Sequence, residues 1–262
     1  MPSYKFPRPA VTVDIVVFGV TLMEDKPSLD VLLIRRGGPP FKNCLALPGG
    51  FVNLPESLEH AALRELREET GIIAQPYLEQ LYTFGEPKRD PRERVISVAY
   101  YALVASRDHI IKAGSDAKEV GWYDVRAFYS PDETNVVGAV TIKRTRPGHY
   151  KIKLAPAEPM RLAFDHQQIL AKAIRRLQDK IRYAPIGFDL LPVAFTFSQL
   201  QKLYEIILLR PIDKANFQRK WKALGILVPC GKTTGPGKSA ALYFFDKKSY
   251  SAAIARGINF EI

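Results

Sequence analysis

Glu65, Glu68 and Glu69 are related by three, four and one positions, and at about 100° per residue they fall within roughly a 100° arc of one helical face. Like charges so spaced destabilise an isolated helix, so the pattern asks for a counter-charge. Hard divalent cations take carboxylate oxygens, which makes magnesium or manganese the expected ion. Gly50, upstream of the same stretch, has no Cβ and lets its backbone approach a ligand closely. Glu56 and Arg64 read as supporting groups, with Arg64 orienting Glu65 by charge-assisted hydrogen bonds. The plainer alternative is a solvated face on which Arg64 and Arg67 pair with the glutamates.

A helix over Leu58–Thr70 must position these groups. Ser57 is its expected N-cap, Gly71 its stop, and Ala62, Leu63, Leu66 and Thr70 the arc that packs on a sheet. Two β-branched apolar runs, residues 11–20 and 30–36, flank a polar loop containing Pro27 and predict paired strands; further strands fit Tyr77–Phe84 and residues 94–104 and 120–124. The order predicts a mixed sheet in an α/β/α sandwich. Between two of these strands, Lys88-Arg89-Asp90-Pro91-Arg92-Glu93-Arg94 places four cations in seven residues. Such a loop suits an anionic phosphate or sugar ligand, although charge runs are often merely solvated. Residues 126–158 predict an inserted hairpin around Arg146-Pro147-Gly148, and Asp165 is the expected cap of a helix running to about Tyr183.

After a Pro- and Gly-containing linker at 184–195, residues 196–208 have a Thr or Ser N-cap and helical apolar spacing. Asp213 then caps Lys214–Leu224, closed by Gly225, and two helices joined by so short a turn make a helix-turn-helix candidate. Residues 226–228 and 241–245, around a Gly/Pro/Lys-rich loop, complete the order of a winged helix. The second helix carries Lys214, Asn216, Arg219, Lys220 and Lys222 opposite a stripe of Phe217, Trp221 and Leu224. It fits a major groove with Asn216 or Arg219 at base edges, while Lys232, Thr233, Thr234 and Lys238 on the wing suit phosphates. The alternative is an interaction or dimerisation module whose lysines only solubilise it.

Charge and composition support this division. The 262 residues carry a net charge of +11, and residues 184–262 hold 11 Lys and Arg against 5 Asp and Glu, so the excess is densest at the C-terminal end. Two cysteines, Cys44 and Cys230, are too few and too far apart for a disulfide framework or metal site. No stretch approaches the roughly 20 apolar residues that span a bilayer, and the N-terminal run is broken by Asp14, so a cytoplasmic protein without membrane partners is expected.

Residues 50–72 satisfy G-x5-E-x7-R-E-U-x-E-E-x-G-U at every position, with Leu66 and Ile72 as the bulky apolar residues U. Seven fixed positions match by accident with a chance of about 10⁻⁹ per register. The chain is therefore identified as a member of the Nudix superfamily, and Tyr82-Thr83-Phe84 with the 88–92 run resembles its ADP-ribose pyrophosphatase branch. The resemblance implies a catalytic set of Glu65, Glu68, Glu69 and Arg64. It implies a metal held by the Gly50 carbonyl and the three glutamates, and ligand contacts at Arg36, Gly49, Gly50, Arg89 and Arg92. The general base is a box glutamate or a later loop carboxylate, for which Asp116 and Glu119 are candidates. Joined to the winged helix, and with Leu162-Ala163-Phe164-Asp165-His166 and residues 211–217, the chain is similar to Nudix-related transcriptional regulators of NAD metabolism. That implies a Nudix domain at 1–183 and a DNA-binding domain at 196–262. It also implies a homodimer on double-stranded DNA that binds ADP-ribose or a related dinucleotide; the complete box departs from the eroded boxes of that family, and hydrolysis of the diphosphate is expected from it. The rival reading is a metal-dependent pyrophosphatase whose C-terminal domain serves oligomerisation.

Overall fold

The computed structural model describes residues 6–22, 27–73, 77–104, 117–128, 140–146, 149–154, 162–233 and 239–256, with backbone alone at 117–118, 140–146 and 149–154. Contacts divide the chain into two units, one of residues 1–18, 30–102 and 108–173, the other of 19–29, 103–107 and 174–262.

The β-branched runs form β1 (Ala10–Thr21) and β2 (Ser28–Arg36), most of whose residues belong to the first unit and which are buried almost end to end, as strands covered on both faces must be. They lie at the centre of a sheet ordered β5-β6-β1-β2-β7-β8-β9. Its remaining members are β5 (Tyr77–Phe84), β6 (Val95–Leu103), β7 (Ala117–Asp124), β8 (Val140–Arg146) and β9 (His149–Leu154). Two short strands that the sequence did not reveal, β3 (Leu45–Ala46) and β4 (Gly49–Phe51), pair with β2 and β1. The expected hairpin is present as β8 and β9, in register Ile142↔Ile152, and joins the sheet at Tyr123↔Thr141. Because β7 starts at Ala117, Glu119 lies inside a strand opposite Arg35 instead of in a loop ahead of it.

Helix α1 (Leu58–Thr70) forms where its caps place it. The Ser57 side chain accepts from the His60 amide, and Gly71 closes the helix at φ 76°. Ala61, Ala62, Leu66 and Thr70 are buried, and so is Glu65, while Leu63 is only half-buried. The helix packs against β4 and β7. Helix α2 (His166–Lys180) starts after Asp165, whose carboxylate, expected as a cap, is instead taken by Arg89.

Within the second unit, the described residues after α2 form a winged fold with three helices. Residues 184–195 are not an open connector. Pro185–Leu190 forms a 3-10 turn with Ile186 and Leu190 buried, and Phe188 stacks on Phe245 at 4.1 Å and meets Trp221 edge-on. Helix α3 (Phe197–Leu208) begins with a reciprocal capping box between Thr196 and Gln199. Helix α4 (Lys214–Leu224) is capped by Asp213 and closed by Gly225 at φ 64°. A sheet of β10 (Phe195–Thr196), β12 (Ala241–Phe245) and β11 (Leu227–Lys232), in that order, follows, and α5 (Lys247–Ala255) was not anticipated. Tyr204, Phe217 and Trp221 pack edge to face and hold α3 against α4.

Candidate functional site

A cavity of about 640 Å³ opens in the first unit, within the range that accepts a small ligand. Its walls come from β1 (Thr12, Asp14), β2 and the turn after it (Ile34, Arg36), the β3–β4 segment (Leu47, Gly49, Gly50, Phe51), Glu69 of α1, the 89–92 loop and Phe164 with His166. All five expected ligand residues, Arg36, Gly49, Gly50, Arg89 and Arg92, line it.

Two glycines let the backbone close on the helix. A Cβ at Gly49 would lie 2.2 Å from the Val13 carbonyl oxygen, so β4 could not approach β1 with any other residue there. A Cβ at Gly50 would lie 2.3 Å from Glu65 Oε1. The Gly49 amide donates to Glu69 Oε2 at 2.8 Å.

The glutamates divide between two partners. Arg64 donates to Glu56 through Nε at 3.0 Å and Nη2 at 2.7 Å, and through Nη1 to Glu65 at 2.7 Å and Glu68 at 3.1 Å. The expected Arg64–Glu65 bond is therefore present, within a larger cluster. Arg64 holds the Glu56 carboxyl down at about 2. Burial pushes Glu65 up against the pull of Arg64. Burial likewise pushes Glu69 up to about 8, with Glu65 and Asp14 adding to the effect and the Gly49 amide opposing it. Among the described residues no three His, Cys, Asp or Glu side chains converge as a ready metal cluster, because Arg64 engages Glu65 and Glu68 while Glu69 turns to Gly49. Glu119 pairs with Arg35 at 3.3 Å and is not among the cavity-lining residues, and Asp116 lies outside the described residues.

Under the cavity lies a charged network that sequence reasoning missed. Arg89 is buried; it donates to Asp165 through Nε at 2.9 Å and Nη2 at 2.7 Å, and to Asp14 at 3.1 Å. Its guanidinium thus anchors the wall it was expected to place at the ligand. His166 Nδ1 accepts the Leu47 amide at 2.9 Å, which leaves the proton on Nε2, 3.4 Å from Asp14 Oδ1, and burial lowers the ring's pKa so that it stays neutral. The trace of this network in the sequence is Asp14, a lone acid inside an apolar strand. Arg92 is bidentate to Asp90 at 3.0 and 2.7 Å and remains partly exposed.

On the second unit, Lys214, Asn216, Arg219 and Lys220 are exposed along α4, with Phe217 and Trp221 buried behind them. Arg219 Nη2 donates to Asn216 Oδ1 at 2.8 Å, so the two base-edge candidates form one polar unit. Lys232 is exposed on β11, next to a bulge between Pro229 and Gly231; Thr234 and Lys238 lie outside the described residues. No helix among the described residues is long and apolar enough to cross a membrane.

The sequence matches the NUDIX domain family over residues 11–144 and the NrtR DNA-binding winged helix domain over residues 187–245. It is 33% identical, over 97% of its length and 89% of the relative's, to an ADPR responsive transcriptional repressor, NtrR, of Acinetobacter baylyi. An ADP-ribose pyrophosphatase of Methanocaldococcus jannaschii is 43% identical over 119 residues, 45% of this chain and 63% of that protein. The crystal structure of Shewanella oneidensis NrtR complexed with a 27mer DNA superposes with a TM-score of 0.68 at 31% identity, covering 92% of this chain and 95% of that one.

Proposed function

The chain belongs to the Nudix family, in the branch that carries an NrtR-type DNA-binding winged helix, and we propose on that footing that it is a transcriptional repressor that senses ADP-ribose. The observation that carries this is the pairing of two surfaces in one chain. One is a cavity where Gly49, Gly50 and Glu69 face Arg36 and Arg92; the other is a helix with Lys214, Asn216, Arg219 and Lys220 exposed. A diphosphate needs cations and close backbone on its path, and duplex DNA needs a basic helix with side chains that reach base edges. Two copies bound to a palindromic site in the cytoplasm complete the reading.

The residues present fit a divalent ion. Gly50 leaves open the point on which Glu65 closes, and Glu69 stands near enough to Glu65 and Asp14 to be raised by both. The Gly50 carbonyl, Glu65 and Glu69 would hold it, with Glu68 joining on release from Arg64. Magnesium or manganese there would screen the diphosphate and acidify a water. The rest falls to the chain itself: Arg36 and Arg92 bind the anionic ligand, the Gly49 amide fixes Glu69, and Arg64 fixes Glu65. The complete box supports retained hydrolysis of the diphosphate, and with Glu119 paired to Arg35 the acid–base role falls to a box glutamate or to Asp116.

Calorimetric titration with ADP-ribose and Mg²⁺, beside salt-dependent binding of a labelled duplex from the gene's own upstream region, tests the reading. Both are expected. Brisk hydrolysis that collapses in Glu69→Gln, with no duplex binding at any salt, would replace it with a pyrophosphatase whose second unit serves assembly.

A further inference from the structure

Phe164 occupies left-handed backbone space at φ 52°, a conformation that costs a bulky L-residue energy and that is held here from both sides. Before it, the Ala163 amide donates to the Leu45 carbonyl at 2.8 Å; after it, Asp165 is clamped by Arg89 and His166 by Leu47. The result is to stand an aromatic ring in the cavity wall between two cations. The Arg36 guanidinium carbon lies 4.8 Å from the ring centroid and that of Arg92 lies 5.6 Å from it; Arg92 also sits 5.4 Å from the Phe51 ring. Phe41 closes edge-on at 4.8 Å.

Two guanidinium groups sharing one ring repel each other, and burial together with Arg92 lowers the pKa of Arg36 against the weaker pull of Glu69 and Asp90. Asp90 neutralises Arg92. Among the described residues Arg36 has no ion pair, and its Nε donates to the neutral Pro40 carbonyl at 2.9 Å. The pair therefore holds positive charge that its surroundings do not fully offset, at the wall of a cavity large enough for a nucleotide.

We propose that Phe164 is a positioning residue: its ring holds Arg36 and Arg92 together as a seat for a diphosphate, and so makes the cavity prefer anionic nucleotides over neutral nucleosides. This rests on the reading of the cavity as the ADP-ribose site. Arg36 and Arg92 touch the ligand, and Phe164 acts through them by cation–π attraction.

The test is Phe164→Leu in the full chain, since Leu keeps an apolar side chain at the same left-handed position. Wild type and variant are titrated with ADP-ribose, inorganic pyrophosphate and adenosine, each at fixed Mg²⁺, and their thermal unfolding is recorded. Loss of two cation–π contacts should weaken ADP-ribose and pyrophosphate about tenfold while adenosine affinity stays unchanged. Phe164→Trp, with the stronger ring quadrupole, should bind both anions at least as well as wild type, and this arm stands even if the Leu variant folds poorly. In an Arg92→Met background, Phe164→Leu should cost less than about threefold, because the two act as one unit. Equal weakening for adenosine and the anions would overturn the proposal in favour of a ring that stacks on the base, as would an unchanged pyrophosphate affinity. A wild-type protein that binds pyrophosphate but not ADP-ribose, with the former weakened by Phe164→Leu, would leave the seat standing and remove the ADP-ribose reading instead.

Discussion

Arg89 and Arg92 share one loop and one functional group, yet their surroundings demand opposite consequences when either is replaced. The Arg89 side chain is 4% exposed and lies between Asp14 and Asp165, whose side chains are 9% and 11% exposed. Arg89→Met keeps the length of the stem and strands two carboxylates away from water. Removing one partner of a buried ion pair costs on the order of 4 kcal/mol. For a chain of this size each kcal/mol lowers the melting temperature by roughly 3 °C, so a fall of about 12 °C is expected. Arg92 is 41% exposed, and its partner Asp90 keeps the Arg92 backbone amide at 3.0 Å after the side chain is gone. Because Asp90 is itself only 3% exposed but keeps that one backbone bond, Arg92→Met should cost about 2 kcal/mol, or about 6 °C, and act chiefly on ligand affinity. Thermal unfolding followed by circular dichroism, paired with calorimetric titration of ADP-ribose, reads both quantities. If the two variants melt within 3 °C of each other, the division of the loop into an anchor and a ligand contact is wrong.

The two glycines differ in what they would strike. Gly50→Ala drives a Cβ into the tip of Glu65, so Mg²⁺-dependent ligand binding should fall at least about tenfold with little change in melting; Gly49→Ala meets the Val13 backbone and should melt clearly lower than Gly50→Ala. Equal melting of the two would contradict this. The Glu69 carboxyl, pushed up to about 8 from its ordinary 4.5, makes the metal-free protein lose stability as pH rises from about 4.5 to about 8, since the unfolded chain gives up that proton first. Mg²⁺ requires the ionised form, so binding at pH 7 should release close to one proton, read as a dependence of the calorimetric heat on buffer ionisation enthalpy; no dependence would count against it. Arg219→Ala should weaken duplex binding and relax preference at one base position while ADP-ribose affinity stays within about twofold, and a joint loss would indicate misfolding.

What the sequence disclosed was local. Helix α1 is legible at both ends because its cap bonds span only a few positions, from Ser57 to His60 and from Arg67 to Gly71. The capping box at Thr196 and Gln199 marks α3 in the same way. The Gly50 and glutamate half of the site lies on one stretch of chain and reads directly. The other half does not, since Arg89 reaches Asp14 across 75 positions and His166 reaches Leu47 across 119, and no periodicity records such meetings. Nor does a loop's charge count tell which arginine turns inward: Arg89 and Arg92 look alike until Asp165 claims one of them. In the 184–195 segment Pro and Gly signal a linker, whereas Ile186, Phe188 and Leu190 supply enough apolar surface to fold it into the core. Glu119 was displaced by a strand that begins earlier than its apolar residues suggest.

Coupling between ligand and DNA tests the central claim most directly. A labelled duplex from the gene's upstream region is bound by the full chain at fixed salt and Mg²⁺, and its dissociation constant is measured by anisotropy at rising ADP-ribose. A sensor should show the constant shifting by roughly 5- to 150-fold and levelling off, with the duplex changing ADP-ribose affinity by the same factor. A duplex affinity that stays flat through saturating ADP-ribose would contradict the account.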